Sequence, residues 1–377
     1  MALKQSGWRM WPRVLCFLLI FAVVFFALQE VLRYKYQPED VWAKRYRDYA
    51  AEPADTVDVV FIGNSQLYWG VSPMALYNEA GITSYNMSGN MFQQTTTLQQ
   101  LKTLLTLNTP PKVVVFTPVA LLSYLTATNG EMAEVYYSLI QHQPTEERKR
   151  EIYDAMQAEC DGQADVMPYV IPLLGFHSHW SNISANNFRS EQYFEERNEG
   201  FLKGQWIYLD IGFIRGIVKE EPTQTEPVEL KEAAIKGFRE FFALCEENGI
   251  TPVALILPRY DGFYKGTPVE TVIQWLDEEG ILTFDYQDEV SQEEMGWSHS
   301  RHFIDSKHLN FMGSLHLATD LAYRLRDELD LADHRGEEGY ESWDADVTAF
   351  FDAYREPIAD ELGESYAPWW DMEEEIW

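Results

Sequence analysis

Short apolar runs alternate along the chain with longer segments in which apolar residues recur at helical spacing. Five short segments are predicted as strands, and the first is a continuous apolar run, as expected for a central strand that is buried on both faces of a sheet. They cover residues 58–62, 82–87, 112–116, 250–257 and 281–286. Helical spacing is found at residues 74–79, 95–107, 229–247 and 311–329. Strands that alternate with helices predict an α/β domain over residues 57–332, with a mostly parallel five-stranded sheet flanked by helices.

This alternation breaks between residues 121 and 228. The stretch contains no comparable apolar run, is rich in Tyr, Gln, Glu and Trp, and has helical segments such as residues 146–159. We interpret it as a largely helical insertion that folds over the functional site. Its His177 and His179 are expected at the polar surface or along a cleft.

A wholly apolar stretch lies near the N-terminus, at residues 14–28. Basic residues precede it, and a secretory signal peptide has the same layout. Because no Ala-x-Ala cleavage pattern follows, we predict an uncleaved transmembrane signal anchor over residues 13–32. The basic segment 1–12 is then expected in the cytoplasm and the rest of the chain on the extracytoplasmic side of the cell membrane.

Two further segments flank the predicted domain. Residues 33–56 are polar and aromatic, and we expect them to form a membrane-proximal stalk. Residues 333–377 contain 15 Asp and Glu residues and four Trp residues. Acidic tails are usually disordered, but the aromatic residues predict that parts of this tail dock on the domain or on a partner.

The composition excludes some classes of function. A net charge of −31 argues against binding to nucleic acid, which depends on Lys and Arg contacts to phosphate. It also argues against a polybasic membrane patch. The three cysteines form neither a disulfide framework nor a zinc pattern. Cys160 and Cys245 could pair outside the cell, but we expect free thiols.

Two short segments carry the candidate chemistry. The segment Gly63-Asn64-Ser65 follows the first predicted strand, and Asp305-Ser306-Lys307-His308 lies just before the last predicted helix. Functional groups of parallel α/β sheets gather at the carboxyl ends of the strands. A serine nucleophile needs a base, for which His308 is suited, and Asp305 would orient that histidine.

An oxyanion that forms at such a serine also needs hydrogen-bond donors. Gly89 and Asn90 follow the second predicted strand, and we expect one of them to supply a donor. The simpler alternatives are that Ser65 is a turn residue or helix N-cap, that Asp305 caps the next helix, and that His308 is a surface histidine.

A metal site is a further alternative. His299, His302, Asp305 and His308 recur every three residues, and histidine with carboxylate can bind zinc. Because an α-helix has about 3.6 residues per turn, side chains three residues apart point in progressively different directions, so the four cannot all face one ion. We therefore expect neither a metal nor another cofactor.

The two segments resemble the SGNH (GDSL-like) hydrolase superfamily, in which a serine follows the first strand and an Asp-x-x-His segment lies near the C-terminal end. Residues 305–313, with the pattern Asp-Ser-x-His-Leu-Asn-x-x-Gly, also resemble its membrane-anchored branch. That branch includes proteins of D-alanyl-lipoteichoic acid assembly and of alginate acetylation. The resemblance implies a flavodoxin-like, three-layer fold and a catalytic set of Ser65, His308 and Asp305.

The chain departs from the family pattern at two points. Asn64 replaces the usual aspartate, and Phe116-Thr117-Pro118-Val119 stands where a Gly-x-Asn-Asp block is expected. The second change removes the usual side-chain donor of the oxyanion hole.

The resemblance and the anchor together predict a serine acyltransferase or esterase that acts on acyl groups, such as O-acetyl groups, of a cell-envelope or exported polysaccharide. Such a protein would act beside a membrane-bound O-acyltransferase. The alternative is a catalytically inactive protein of the same fold that binds an envelope polymer or a partner acyltransferase.

Overall fold

Five short parallel strands form the centre of the molecule. The structure is a computed structural model, and it describes residues 10–32, 42–175, 180–181, 183–190, 199–207, 209, 228–260 and 267–363. The strands are β1 (Val59–Ile62), β2 (Ser84–Asn86), β3 (Val113–Phe116), β4 (Thr251–Ile256) and β5 (Leu282–Asp285). Each lies within a run that predicted it, and all neighbours pair in parallel in the order β2-β1-β3-β4-β5. The predicted α/β class and five-stranded sheet are confirmed.

Helices connect and cover these strands. The first nine are α1 (Trp11–Leu32), α2 (Trp42–Ala51), α3 (Ser65–Gly70), α4 (Pro73–Ala80), α5 (Gln94–Leu104), α6 (Gly130–Gln141), α7 (Glu146–Glu159), α8 (Met167–Val170) and α9 (Pro172–Gly175). The others that are described are α10 (Glu232–Glu247), α11 (Thr267–Glu278), α12 (Glu289–Met295), α13 (His299–His302), α14 (Phe311–Leu329) and α15 (Glu341–Leu362).

The helices lie on both faces of the sheet. The chain moves from β1 outward to β2 and then steps back across β1 to β3, β4 and β5. Because crossovers between parallel strands are right-handed, this reversal sends successive helices to opposite faces. Accordingly α4 packs against α14, whereas α5 packs against α10. The carboxyl ends of β1 and β3, where the direction reverses, are the expected place for a site.

Helix α2 lies within the segment that was predicted to be a stalk, and its contacts correct that prediction. Its Trp42, Tyr46 and Tyr49 are buried in the main core, and its Arg45 donates a hydrogen bond to the Ser88 carbonyl over 3.0 Å. Residues 42–51 are therefore packed on the domain and do not form a free stalk. The rest of the predicted stalk before them, residues 33–41, lies outside the described residues.

Part of the acidic tail is folded on the domain. Helix α15 packs against α4 and α14. Its Trp343, Phe350 and Phe351 are buried. The remaining tail, residues 364–377, lies outside the described residues.

Helix α1 is long and apolar enough to span a membrane. It has 22 residues, its most apolar window has a mean hydropathy of 2.6, and no residue of that window is buried. A signal sequence has the same properties. In the insertion, α6 and α7 contribute to the main core, and His177 and His179 lie outside the described residues.

Candidate active site

Ser65 stands at the carboxyl end of the central strand β1, in a turn formed by residues 63–65, which we term the serine turn. The turn must begin with glycine, because a Cβ at Gly63 would lie 2.7 Å from Thr117 Oγ1 and 2.8 Å from Leu67 Cδ1. Asn64 then caps α3, since its Oδ1 accepts the Gln66 N–H over 3.0 Å. A buried strand, a close approach and a cap thus fix the serine that begins the helix.

The second candidate segment meets Ser65 at this edge of the sheet. His308 Nε2 lies 2.7 Å from Ser65 Oγ, and His308 Nδ1 lies 2.7 Å from Asp305 Oδ2. The other carboxylate oxygen, Asp305 Oδ1, accepts the backbone N–H groups of Lys307 and His308 over 2.7 and 2.8 Å. The three side chains predicted from the sequence therefore form one chain of hydrogen bonds.

The carboxylate of this chain is held in its ionised form. Partial burial of Asp305 favours the neutral acid, but hydrogen bonds from the His308 ring and from two backbone N–H groups outweigh burial and lower the pKa of the carboxyl. An ionised Asp305 directs the Nδ1 proton of His308 toward itself. The Nε2 lone pair then faces the Ser65 hydroxyl, which is the tautomer that a general base requires.

Asp305 and His308 lie in the segment 303–309, which we term the acid–histidine hairpin. Phe303 and Leu309 form an isolated antiparallel bridge at its base. Within it, the Ile304 N–H donates to the His308 carbonyl over 3.0 Å.

Distant parts of the chain hold this hairpin in place. Gln66 Nε2, next to the serine, donates to the Lys307 carbonyl over 3.2 Å. The Tyr260 N–H, after β4, donates to the Ser306 carbonyl over 2.9 Å. The serine side and the histidine side are thus joined directly.

Trp69 is a site residue that was not predicted from the sequence. Its ring lies 4.5 Å from that of His308, centroid to centroid, at an angle of 49°. The indole therefore limits the positions that the imidazole can take. The available signal was spacing, because Trp69 follows Ser65 by four residues and so lies on the same face of α3.

The expected oxyanion donors are only partly suited to that role. The Gly89 N–H donates to the Gly63 carbonyl over 2.9 Å, because backbone pairing between this segment and β1 continues past the end of β2. Gly89 is therefore not available as a donor without breaking that bond, which corrects the expectation. Asn90 lies in the next position, partly exposed, and stays the predicted donor.

The simpler alternatives fit the structure less well. Asn64, not Ser65, caps α3. The helix that follows the hairpin is capped by Asn310, whose Oδ1 accepts the Gly313 N–H over 2.9 Å, and not by Asp305. The His308 side chain is only 14% exposed and so is not a free surface histidine.

The four residues of the metal alternative do not gather at one point. His302 instead lies with His316 and Glu361, and their candidate ligand atoms fall within 4.8 Å of one another. His302 Nδ1 accepts the Ser298 N–H over 3.2 Å, so the proton of the neutral ring is on Nε2, which faces Glu361 Oε1 at 3.0 Å. This arrangement is that of a hydrogen-bonded histidine–carboxylate pair, since a metal would need the Nε2 lone pair.

No protein-family model matches the sequence, and no curated protein matches it either.

Proposed function

We propose that this protein is a membrane-anchored, extracytoplasmic serine acyltransferase or esterase of the SGNH type. Its substrates would be acyl groups, such as O-acetyl groups, on a cell-envelope or exported polysaccharide. The observation that carries the proposal is the chain of two 2.7 Å hydrogen bonds from Ser65 through His308 to Asp305. This is the arrangement that activates a serine hydroxyl for acyl transfer.

In the proposed reaction, Ser65 Oγ attacks the carbonyl carbon of an ester or thioester while His308 Nε2 takes the hydroxyl proton. Asp305 stabilises the imidazolium that forms. The tetrahedral intermediate expels the alcohol or thiol, which receives the proton from His308, and the acyl group stays on Ser65. A glycan hydroxyl, or water, then gives its proton to His308 and attacks the acyl-serine. The Ser65–acyl bond breaks, and Ser65 Oγ takes the proton back from His308.

The fold supports the family resemblance. The order β2-β1-β3-β4-β5 is that of flavodoxin-like doubly wound sheets, whose sites lie where the strand order reverses. Ser65 follows β1, at that reversal. Helix α1 supports a membrane anchor, and on that basis we favour transfer beside a membrane-bound O-acyltransferase over simple hydrolysis.

A catalytically inactive protein of the same fold is the second candidate. Two features of the expected oxyanion hole favour this candidate. The Gly89 N–H is already bonded, and Phe116-Thr117-Pro118-Val119 stands where a Gly-x-Asn-Asp block is expected. Such a protein would bind an envelope polymer or a partner acyltransferase. Neither candidate requires a cofactor or nucleic acid.

A fluorophosphonate probe, which reacts with activated serines, separates the two candidates. The full-length protein in detergent should be labelled, and Ser65→Ala should not be. Ser300→Ala is the matched control, since this exposed serine on α13 pairs with Ser298 Oγ over 3.4 Å and not with a histidine base. A folded wild-type protein that takes up no label would favour the inactive candidate.

A further inference from the structure

Exposed large apolar side chains are concentrated in one part of the insertion. Outside residues 10–32, nine such side chains are exposed in the described part of the chain, and seven of them lie between residues 166 and 209. The most exposed are Trp180 at 71%, Phe188 at 68% and Val170 at 67%. Apolar groups clustered in this way mark a contact surface, unlike single exposed residues.

This part of the insertion lies against the end of helix α1. Helix α9 and the 3₁₀ turn Ala185–Phe188 both contact α1. The Leu173 N–H donates to Gln29 Oε1 over 3.2 Å, and Asn187 Nδ2 donates to the Val31 carbonyl over 3.0 Å.

These contacts fix the position of the insertion along the length of α1, and therefore its depth relative to the membrane that α1 would span. Gln29 is the first polar residue after the apolar run 14–28. If that run spans the hydrocarbon layer, Gln29 lies near the boundary between hydrocarbon and headgroups. The segments that touch Gln29 and Val31 then lie at the same boundary.

The distribution of carboxylates along the chain is consistent with a position of the insertion at this boundary. The chain contains 60 Asp and Glu residues among 377, yet residues 166–190 contain none. Anionic headgroups repel carboxylates. A segment without carboxylates in a strongly acidic chain is therefore suited to approach a membrane.

We propose that Val170, Leu174, Trp180, Ile183 and Phe188, which we term the interfacial surface, insert into the headgroup layer of the lipid bilayer beside α1. Trp and other large apolar side chains are favoured at this depth, where their apolar part leaves water. The inference rests on the anchored placement of α1 proposed above. Together the anchor and the surface hold the domain in one orientation on the membrane.

Quenching by labelled lipid tests this surface in the full-length protein. The protein is reconstituted in vesicles of phosphatidylcholine and phosphatidylglycerol that carry a doxyl quencher near the headgroup. Cys160 and Cys245 are buried and Cys16 is exposed, so an environment-sensitive fluorophore reacts at Cys16 in the native chain. With Cys16→Ala as background, Trp180→Cys and Phe188→Cys report on the surface. Val290→Cys is the matched control, because Val290 is 62% exposed on α12, outside the insertion.

The fluorophore at positions 180 and 188 should lose most of its emission to the lipid quencher, and the fluorophore at position 290 should lose none. Quenching at Cys16 without quenching at 180 and 188 would overturn the interfacial surface and leave the anchor intact. Absence of quenching at Cys16 would overturn the anchor itself. Shielding of 180 and 188 from aqueous iodide, without quenching by lipid, would show that protein and not lipid covers the surface, and would also overturn the proposal.

Discussion

The serine turn and the acid–histidine hairpin differ in where their supporting contacts come from. The turn is held by strand β1 before it and by the Asn64 cap after it. Its distant contacts come from the segments that follow the two strands paired with β1. The Gly89 N–H donates to the Gly63 carbonyl over 2.9 Å, and the Asn64 N–H donates to Thr117 Oγ1 over 3.4 Å. The turn is therefore supported by the first three strands of the sheet.

The hairpin depends on contacts from three separate regions. Gln66 and Tyr260 bind its tip, and Glu361 near the end of α15 binds the two residues that directly precede its base. Glu361 Oε2 accepts a hydrogen bond from Arg301 Nε over 2.6 Å, and Glu361 Oε1 lies 3.0 Å from His302 Nε2. Substitutions far from Ser65 in sequence should thus affect the histidine side of the site more than the serine side.

The largest expected effect comes from removing the general base, His308. His308→Ala should lower the rate of fluorophosphonate labelling on the order of 10³-fold, because general-base catalysis typically contributes 10²- to 10⁴-fold. The folded structure should survive, since His308 lies in the hairpin and not in a strand or helix of the core, and α14 has its own cap. The rate of labelling at a fixed probe concentration is the measurement.

A second histidine provides the control for this variant. His334 also lies between two carboxylates, with Nε2 3.0 Å from Asp58 Oδ2 and Nδ1 2.7 Å from Glu337 Oε2. Asp58 precedes β1, so this pair lies at the opposite edge of the sheet from Ser65. His334→Gln should label at the wild-type rate. Equal losses in both histidine variants would mean that His308 acts only through general stability.

Substitutions at Asn64 test the local support of the serine turn. Asn64→Ala removes the cap and should lower the free energy of unfolding by about 1 kcal/mol. Asn64→Asp keeps an oxygen at the same place and should retain both stability and labelling. Urea unfolding followed by tryptophan fluorescence measures the first quantity. If the alanine variant were as stable as the aspartate variant, the cap would not support the turn.

The same contrast explains how much could be predicted from the sequence. Strands β1, β3 and β4 lie within apolar runs, and α14 begins and ends where its spacing indicated, because strand burial and helical periodicity are set by residues close in sequence. Strands β2 and β5 contain polar residues, but they also lie within the predicted segments. Ser65, Asp305 and His308 were found because each stands beside a strand end or a helix start. Their hydrogen-bonded arrangement agrees with the pattern that suggested them.

The residues that support the site from distant parts of the chain show no comparable pattern in the sequence. Glu361 is one of many carboxylates in the tail, and nothing nearby in sequence distinguishes it from Asp360. The buried helix α2 was taken for a stalk because its apolar side chains are mixed with charged residues. Arg45 is nevertheless buried, since its guanidinium lies 4.3 Å from the Trp42 ring and bonds to backbone carbonyls. Such residues are identified by their partners, which only the folded chain brings together.

The smallest expected effect tests whether the tail supports the hairpin. Burial raises the pKa of Glu361, but hydrogen bonds from His302 and Arg301, together with the charge of Arg301, outweigh burial and lower that pKa. Glu361→Gln should cost a few tenths to about 1 kcal/mol of unfolding free energy at neutral pH, because Arg301 is about half exposed and the pair is screened. The labelling rate should fall only a few-fold.

The sign of the pH dependence identifies the carboxylate as the cause. A carboxyl with a lowered pKa adds stability above its unfolded pKa of about 4.3 and loses that stability as the pH falls through the folded value. The difference between wild type and Glu361→Gln should therefore be full at neutral pH and shrink as the pH falls below about 4. Asp360→Asn is the control, since its exposed side chain lies next to Glu361 while its backbone is unchanged. A difference that stayed constant with pH, or that appeared equally in Asp360→Asn, would show that the hairpin does not depend on the charge of Glu361.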